Sequence, residues 1–122
     1  MFVIFTAQPT RSSTPRVTLS ELLEHTGISE DTLRQRCSDE HLRDIAKKVD
    51  NWEVYAPYLG FESRDIEDLK EQFKRPELRS SNAFLKWKER AAFKATYHYL
   101  VVNVFLKYGN GVLAEFVCNC LN

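Results

Sequence analysis

The amino-acid sequence predicts an all-α fold, an antiparallel six-helix bundle preceded by a short helical N-terminal extension. From residue 18 onward, apolar residues recur at intervals of three and four positions, which is the spacing of one helix face. No alternating apolar and polar run is long enough to indicate a β-strand. The chain has 122 residues, of which 43% are hydrophobic, so it can bury one core and is expected to form one domain.

Composition divides the chain into three parts. Residues 8–17 are polar and contain two prolines, as linkers do, so residues 1–17 are predicted to form a flexible N-terminal segment. Residues 18–37 carry the signals of two short helices and are predicted to form the helical extension. Residues 38–122 are predicted to form the bundle.

The extension begins with local helix signals. Thr18 and Glu21 have the spacing of a capping box, and Gly27 is a typical helix stop. Ser29 can open a second short helix, so residues 18–36 also resemble the helix-turn-helix of bacterial DNA-binding regulators. Acidic residues outnumber basic ones there, whereas a recognition helix approaches phosphates and needs positive charge. Nucleic-acid binding is therefore the alternative function and not the favoured one.

Six further apolar stripes predict the helices of the bundle. They occupy residues 42–49, 52–59, 66–73, 84–92, 97–108 and 113–121. Pro57 lies inside the second stripe and predicts a short or distorted helix. Ser63 is predicted to cap the third helix and Pro76 to end it. Asn82 is predicted to precede the fourth helix, and Asn110 to cap the sixth.

The stripes also predict the core. Trp52, Leu85, Trp87 and Leu100 each lie on an apolar stripe that only the bundle can cover, so all four are expected to be largely buried. Few clearly polar residues interrupt the stretch 97–108, which is therefore predicted to be the most enclosed helix. The alternative is that one side of this helix meets a partner.

Catalytic and metal-binding patterns are not found. The three histidines fall on different segments, and no glycine-rich phosphate loop or calcium-loop pattern is present. Cys118 and Cys120 would point about 200° apart on a helix, so they do not suggest a metal pair. We expect a non-enzyme with no catalytic residue, no cofactor and no metal. A secreted disulfide framework would have more cysteines and usually an even number, so three cysteines favour a reduced, cytoplasmic setting, in which all three are expected to be free thiols.

The charge balance limits the classes of partner. The chain has 17 basic and 17 acidic residues, so bulk electrostatics do not favour nucleic acid or a membrane surface. No apolar run approaches the roughly 18 residues that a membrane-spanning helix requires. These observations leave protein partners as the expected class.

The order of several segments is similar to that of a death domain, a six-helix module of apoptotic and innate-immune adaptors and receptors. The segments that carry the resemblance are His41–Val49, Trp52–Gly60, Ser63–Ile66, Phe84–Trp87 with Arg90, Ala95–Tyr97, Leu106–Gly109 and Leu113–Glu115. The resemblance as a whole covers residues 40–121. Two features depart from the family: Val101 and Val102 stand where charges are expected, and residues 1–37 have no counterpart.

The resemblance implies a fold and a function. The expected fold is the six-helix death fold, and the expected function is homotypic assembly with other death-fold domains, either copies of this chain or related ones. The setting implied is intracellular signalling of the apoptotic or innate-immune type. The family performs no chemistry of its own.

Charge is segregated along the chain in a way that is compatible with such assembly. Residues 62–72 carry five acidic and two basic side chains, and residues 74–94 carry seven basic and two acidic ones. Helical periodicity then predicts the protein-interaction residues, which are Arg43, Lys47, Arg64, Glu67, Asp68, Glu71, Lys86 and Arg90. We expect the acidic third helix of the bundle to contact a basic face in a weak, salt-sensitive oligomer. The alternative is that these are ordinary solvated helix faces.

Overall fold

The computed structural model describes residues 17–122, which form helices joined by short turns. The helices are α1 (Leu19–Thr26), α2 (Glu30–Leu33), α3 (Asp39–Lys48), α4 (Ser63–Gln72), α5 (Pro76–Ala91), α6 (Tyr97–Tyr99) and α7 (Gly111–Cys120). Three short 3-10 segments, Trp52–Val54, Ala56–Leu59 and Ala92–Lys94, connect them, and α6 continues as a π-helix over Leu100–Leu106. The predicted all-α class is confirmed. The predicted flexible segment, apart from Val17, lies outside the described residues.

The two helices of the extension form from the predicted local signals. The hydroxyl of Thr18 accepts a hydrogen bond from the Glu21 N–H (3.2 Å), and the Glu21 carboxylate accepts one from the Thr18 N–H (3.2 Å). This reciprocal capping box starts α1. Gly27 ends it with φ at 75°, a left-handed conformation that favours glycine. Ser29 caps α2, as predicted.

Two boundaries in the bundle differ from the prediction. Ser63 is the first residue of α4 and not its cap, because the Asp65 carboxylate instead accepts a hydrogen bond from the Glu62 N–H (2.9 Å). Pro76 does not end a helix but begins α5, where the ring presets the helical φ and the missing N–H costs nothing. Asn82 consequently lies inside α5 and does not precede it.

The segment around Pro57 is distorted, as predicted. Trp52–Val54 and Ala56–Leu59 form two 3-10 segments in place of one α-helix, with Pro57 in the first turn of the second. Gly60 closes the second segment with φ at 85°. The predicted cap of the last helix is also confirmed, because Asn110 accepts a hydrogen bond from the Leu113 N–H (3.0 Å).

The core is centred on α6 and its π-helical continuation. Leu100, Val101, Val104 and Phe105 are completely buried, as expected for a helix that the rest of the bundle encloses. Burial also explains Val101, one of the two positions where the death-domain pattern has a charge.

Three of the four predicted core residues are buried. Trp87, Trp52 and Leu100 are all in the core cluster. Leu85 packs against this cluster but is only half-buried, because it lies on the side of α5 that faces α4 and lines a shallow groove there with Phe73.

The extension packs against the bundle and shares its core. Leu22, Ile28, Leu33 and Cys37 all belong to the same cluster of buried residues as α3 to α7. Backbone hydrogen bonds also join the extension to the segment just before α6, from the Cys37 N–H to the Ala95 carbonyl (2.8 Å) and from the Tyr97 N–H to the Gln35 carbonyl (3.2 Å). Residues 18–37 therefore stabilise the bundle. Over residues 17–122, no helix is long and apolar enough to cross a membrane.

Candidate interaction surface

The outward side of α4 carries an acidic face, which consists of Glu67, Asp68 and Glu71 with Arg64 beside them. Leu69 is buried on the opposite side of the helix, and this orientation exposes all four charged residues. Among residues 17–122, no ion pair involves the three carboxylates. They are therefore available to a partner without the loss of an internal contact.

A basic face lies on α3 and consists of Arg43 and Lys47. Leu42 and Ile45 are completely buried, so the two cations, one helical turn apart, are directed to solvent. The Lys47 ammonium lies 3.9 Å from the Asp44 carboxylate, and the lysine side chain is 78% exposed. At that exposure the pair contributes little stability, so Lys47 remains available.

A groove of about 660 Å³ lies beside the basic face, between α3 and the first turns of α5. Arg43, Lys47 and Leu78 are among its lining residues, and Leu78 is 40% exposed. The Ser80 hydroxyl donates a hydrogen bond to the Ala46 carbonyl (3.1 Å) and holds the two helices together under the groove. The basic face therefore borders the exposed Leu78 side chain.

The predicted basic pair on α5 is less available than the helical spacing indicates. The Arg90 guanidinium donates two hydrogen bonds to the Asp65 carboxylate (2.8 and 3.2 Å) and lies 5.1 Å from the centre of the Phe61 ring. The hydrogen bonds from Arg90 hold the pKa of Asp65 well below its usual range. Lys86 is half-buried in the shallow groove between α4 and α5. Arg90 is therefore exposed but already paired, and Lys86 is less exposed than the predicted water-facing position.

Other cations of the same stretch are also engaged inside the chain. Lys88 pairs with Asp39 on α3 (2.7 Å), and Arg75 pairs with Glu77 (2.9 Å). Arg79 donates to the Phe73 carbonyl (2.6 Å) and so satisfies the C-terminal end of α4. Several of the positive charges in residues 74–94 are thus engaged in contacts within the chain and are less available to a partner. The basic face on α3 is the better candidate for a partner.

The segment that resembles a helix-turn-helix has an unsuitable second helix. The helix α2 has four residues, which is a single turn, and its Leu33 side chain is completely buried. The Glu30 carboxylate on its surface accepts a hydrogen bond from Arg34 (2.6 Å). A recognition helix must instead present several side chains to the major groove. This geometry does not favour the nucleic-acid alternative.

The potentially reactive side chains are dispersed. Burial raises the pKa of the Cys37 thiol to about 12, and it also raises the pKa of the Cys118 thiol. All three cysteines are free thiols. Within the described part of the chain, no three His, Cys, Asp or Glu residues are close enough together to hold a metal ion.

Comparisons of the chain with protein-family models, with curated proteins and with solved structures give no match. The interpretation of the surface therefore depends on the residues and contacts of this chain.

Proposed function

We propose that this chain is a non-enzymatic protein-interaction module that assembles with death-fold domains, either its own copies or related ones, in intracellular signalling. One observation carries the proposal. The acidic face on α4 and the basic face on α3 are exposed on separate helices of a chain whose net charge is zero. Such a chain can dock one face against the opposite face of a neighbour.

The energetics require several contacts at once. An exposed ion pair contributes about 0.2–1 kcal/mol, so a single pair cannot hold a complex. Three carboxylates against two cations, with the exposed Leu78 beside the basic face, can together give a weak and selective contact. Because the charges are exposed, the association is expected to weaken as ionic strength rises.

The contact is heterologous, because it joins two different faces. A heterologous contact leaves one free face of each kind at the two ends of every assembly, and growth can continue from them. The order of the segments over residues 40–121, which resembles a death domain, supports the same kind of homotypic assembly. The single-turn α2 supports it over nucleic-acid binding.

Charge reversal tests the proposal. Self-association of the full chain is measured by sedimentation velocity at low salt for Glu67→Lys/Glu71→Lys and for Arg43→Glu/Lys47→Glu. Each double variant alone is expected to associate much more weakly than the wild-type chain, because like charges then face each other. An equimolar mixture of the two is expected to associate again, because the intact basic face of the first variant can meet the intact acidic face of the second.

The control variant is Asp31→Lys/Glu89→Lys, which makes the same change in net charge as the first variant, at exposed residues outside both faces. It is expected to associate as the wild-type chain does. Circular dichroism and melting curves establish that every variant is folded. Normal association of both reversed variants, or no recovery in their mixture, would show that the charged faces are only solvated surface.

A further inference from the structure

Two large apolar side chains are exposed to an unusual degree. Phe93 is 79% exposed and Val112 is 80% exposed, whereas Leu78 and Tyr108 are below 50%. Aromatic residues that project from a rigid surface frequently anchor protein interfaces by filling a pocket on the partner. Phe93 is therefore a candidate anchor.

The backbone holds Phe93 in its exposed position. The preceding residue, Ala92, has φ at 54° and ψ at −121°, a conformation that costs an alanine about 1–3 kcal/mol. Two hydrogen bonds to the Ala92 carbonyl maintain it, from the Arg36 side chain (2.8 Å) and from the Ala95 N–H (3.1 Å). Arg36 and Lys94, both exposed, make the surroundings of Phe93 basic.

A groove of about 650 Å³ between α1 and α7 is complementary to Phe93 in its surface properties. Its apolar lining includes Val17, Leu22 and Val112. At Gly111, an added Cβ would lie 3.0 Å from a Val17 methyl group, so the glycine allows the start of α7 to approach Val17 closely. The groove is larger than one phenyl ring and can also take apolar parts of neighbouring side chains.

The rim of this groove is acidic. Glu21, Glu24 and Glu115 line it, together with His25, whose ring lies 3.7 Å from the Glu115 carboxylate. The two cations beside Phe93 would face these three carboxylates if the ring entered the groove. Charge and hydrophobicity therefore match between the two sites.

The anchor and the groove lie at opposite ends of one helix. Phe93 precedes the helix that runs from Tyr97 to Tyr108, and Val112 comes after it. A helix of this length spans roughly 15–18 Å. One copy therefore cannot place its own Phe93 in its own groove without rearrangement of the core.

We propose that Phe93 of one copy of this chain inserts into the groove between α1 and α7 of a second copy. The inference depends on the proposed self-assembly and adds a second, apolar contact to it. This contact uses the extension, which the death-domain resemblance does not include. Because anchor and groove are different surfaces, the contact is head-to-tail.

The experiment separates this contact from the charged one. Sedimentation velocity of the full chain is measured at about 0.5 M salt, where the Debye length is about 4 Å and exposed ion pairs are largely screened. Phe93→Ala and Val112→Asp are each expected to weaken association by about tenfold or more, because the first removes the anchor and the second places a charge in the groove. Phe93→Leu is the matched control and is expected to retain most of the association.

Mixing the two variants tests the head-to-tail geometry. The Phe93→Ala chain has an intact groove and the Val112→Asp chain has an intact anchor. Their mixture is expected to form a 1:1 dimer and nothing larger, since only one productive contact remains. A mixture that stays monomeric would overturn the proposal.

Two further outcomes would also overturn it. If Phe93→Ala associates as the wild type does, Phe93 does not contact a second copy. This result is expected if residues 1–16 of the same chain occupy the groove instead. If Glu67→Lys/Glu71→Lys abolishes association at low salt while Phe93→Ala has no effect at any salt concentration, the charged contact stands and the apolar one fails. The reverse pattern leaves the apolar contact and removes the charged one.

Discussion

The carboxylate of Asp65 and the guanidinium of Arg90, which are 25 residues apart in the chain, join the start of α4 to the end of α5 through two hydrogen bonds. The same carboxylate accepts a hydrogen bond from the Glu62 N–H and so also caps α4. One aspartate therefore fixes the first turn of the helix that carries the acidic face. It positions that face relative to the rest of the bundle.

The pH dependence of stability tests this role of Asp65. Because the Arg90 hydrogen bonds lower the pKa of Asp65 from its ordinary value of 3.8, the unfolded chain binds a proton there before the folded chain does. The stabilisation is complete at neutral pH and is lost as the pH falls below about 4. Asp65→Asn is expected to be less stable than the wild type at pH 7 and to lose less stability on acidification. Urea unfolding between pH 7 and pH 3 measures both effects.

Asp31→Asn is the matched control, because Asp31 is exposed and forms no ion pair with any residue from 17 to 122. It is expected to match the wild-type curve. If the free energy of unfolding of Asp65→Asn changes with pH in parallel with that of the wild type, the role assigned to the Asp65–Arg90 pair is contradicted.

Two apolar residues of α5, Trp87 and Leu85, are expected to differ in their contribution to stability. Trp87 is 2% exposed and packs against Tyr99, with ring centres 5.8 Å apart. Trp87→Ala is expected to lower the free energy of unfolding by about 3–5 kcal/mol, because it leaves a cavity in the core. Leu85→Ala is expected to cost less than about 2 kcal/mol, because Leu85 is half-buried. Equal losses in a denaturant titration would contradict the positions of the two side chains.

The backbone at Ala92 predicts a stabilising substitution. Its positive φ is unfavourable for alanine and open to glycine, so Ala92→Gly is expected to raise the free energy of unfolding by about 1 kcal/mol. The neighbouring Ala91 is helical, and Ala91→Gly is expected to lower it by about 0.5–1 kcal/mol. Thermal melts of the two variants should therefore shift in opposite directions. A lower melting temperature for Ala92→Gly would show that the turn is not strained.

The three thiols are expected to react at different rates. Burial raises the pKa of all three thiols, but Cys37 and Cys118 are buried whereas Cys120 is only half-buried and so accessible to a reagent. Since the thiolate is the reactive species, iodoacetamide at pH 8 should alkylate Cys120 first and the other two slowly. Mass spectrometry of peptides from the native chain measures the order, and the denatured chain should lose it. Rapid labelling of Cys37 in the native chain would contradict its burial.

Local signals in the sequence are sufficient for several parts of the fold. The caps at Thr18, Ser29 and Asn110 depend on residues two to four positions away, and all three form as predicted. The start of α5 was missed because proline ends some helices and begins others, and its own identity does not distinguish the two cases. The prediction that the helix starts after Asn82 was wrong, because the Asn82 side chain donates a hydrogen bond to the Leu78 carbonyl within the helix (2.7 Å) and does not cap it.

For the interaction surface, too, the sequence predicts the features that depend on one helix and does not predict those that depend on how helices pack together. Helical periodicity is sufficient to predict that Arg43, Lys47 and the carboxylates of the acidic face are exposed. It does not identify Arg90 as the partner of Asp65, because the pairing depends on how α4 and α5 are brought together. The groove between α1 and α7 could not be predicted for the same reason, since its two helices come from opposite ends of the described chain.

The packing of α1 on α7 has a consequence for synthesis on the ribosome. Leu22 is buried in a fold in which α1 packs against α7, and about 85 residues separate the end of α1 from the start of α7. At a translation rate of roughly 5–20 residues per second, synthesis of these residues takes on the order of 4–17 s, and α7 is absent during that time. During that interval the nascent chain exposes an apolar stripe that the finished protein covers. Among the described helices, the first to be made is therefore one of the last to be fully covered.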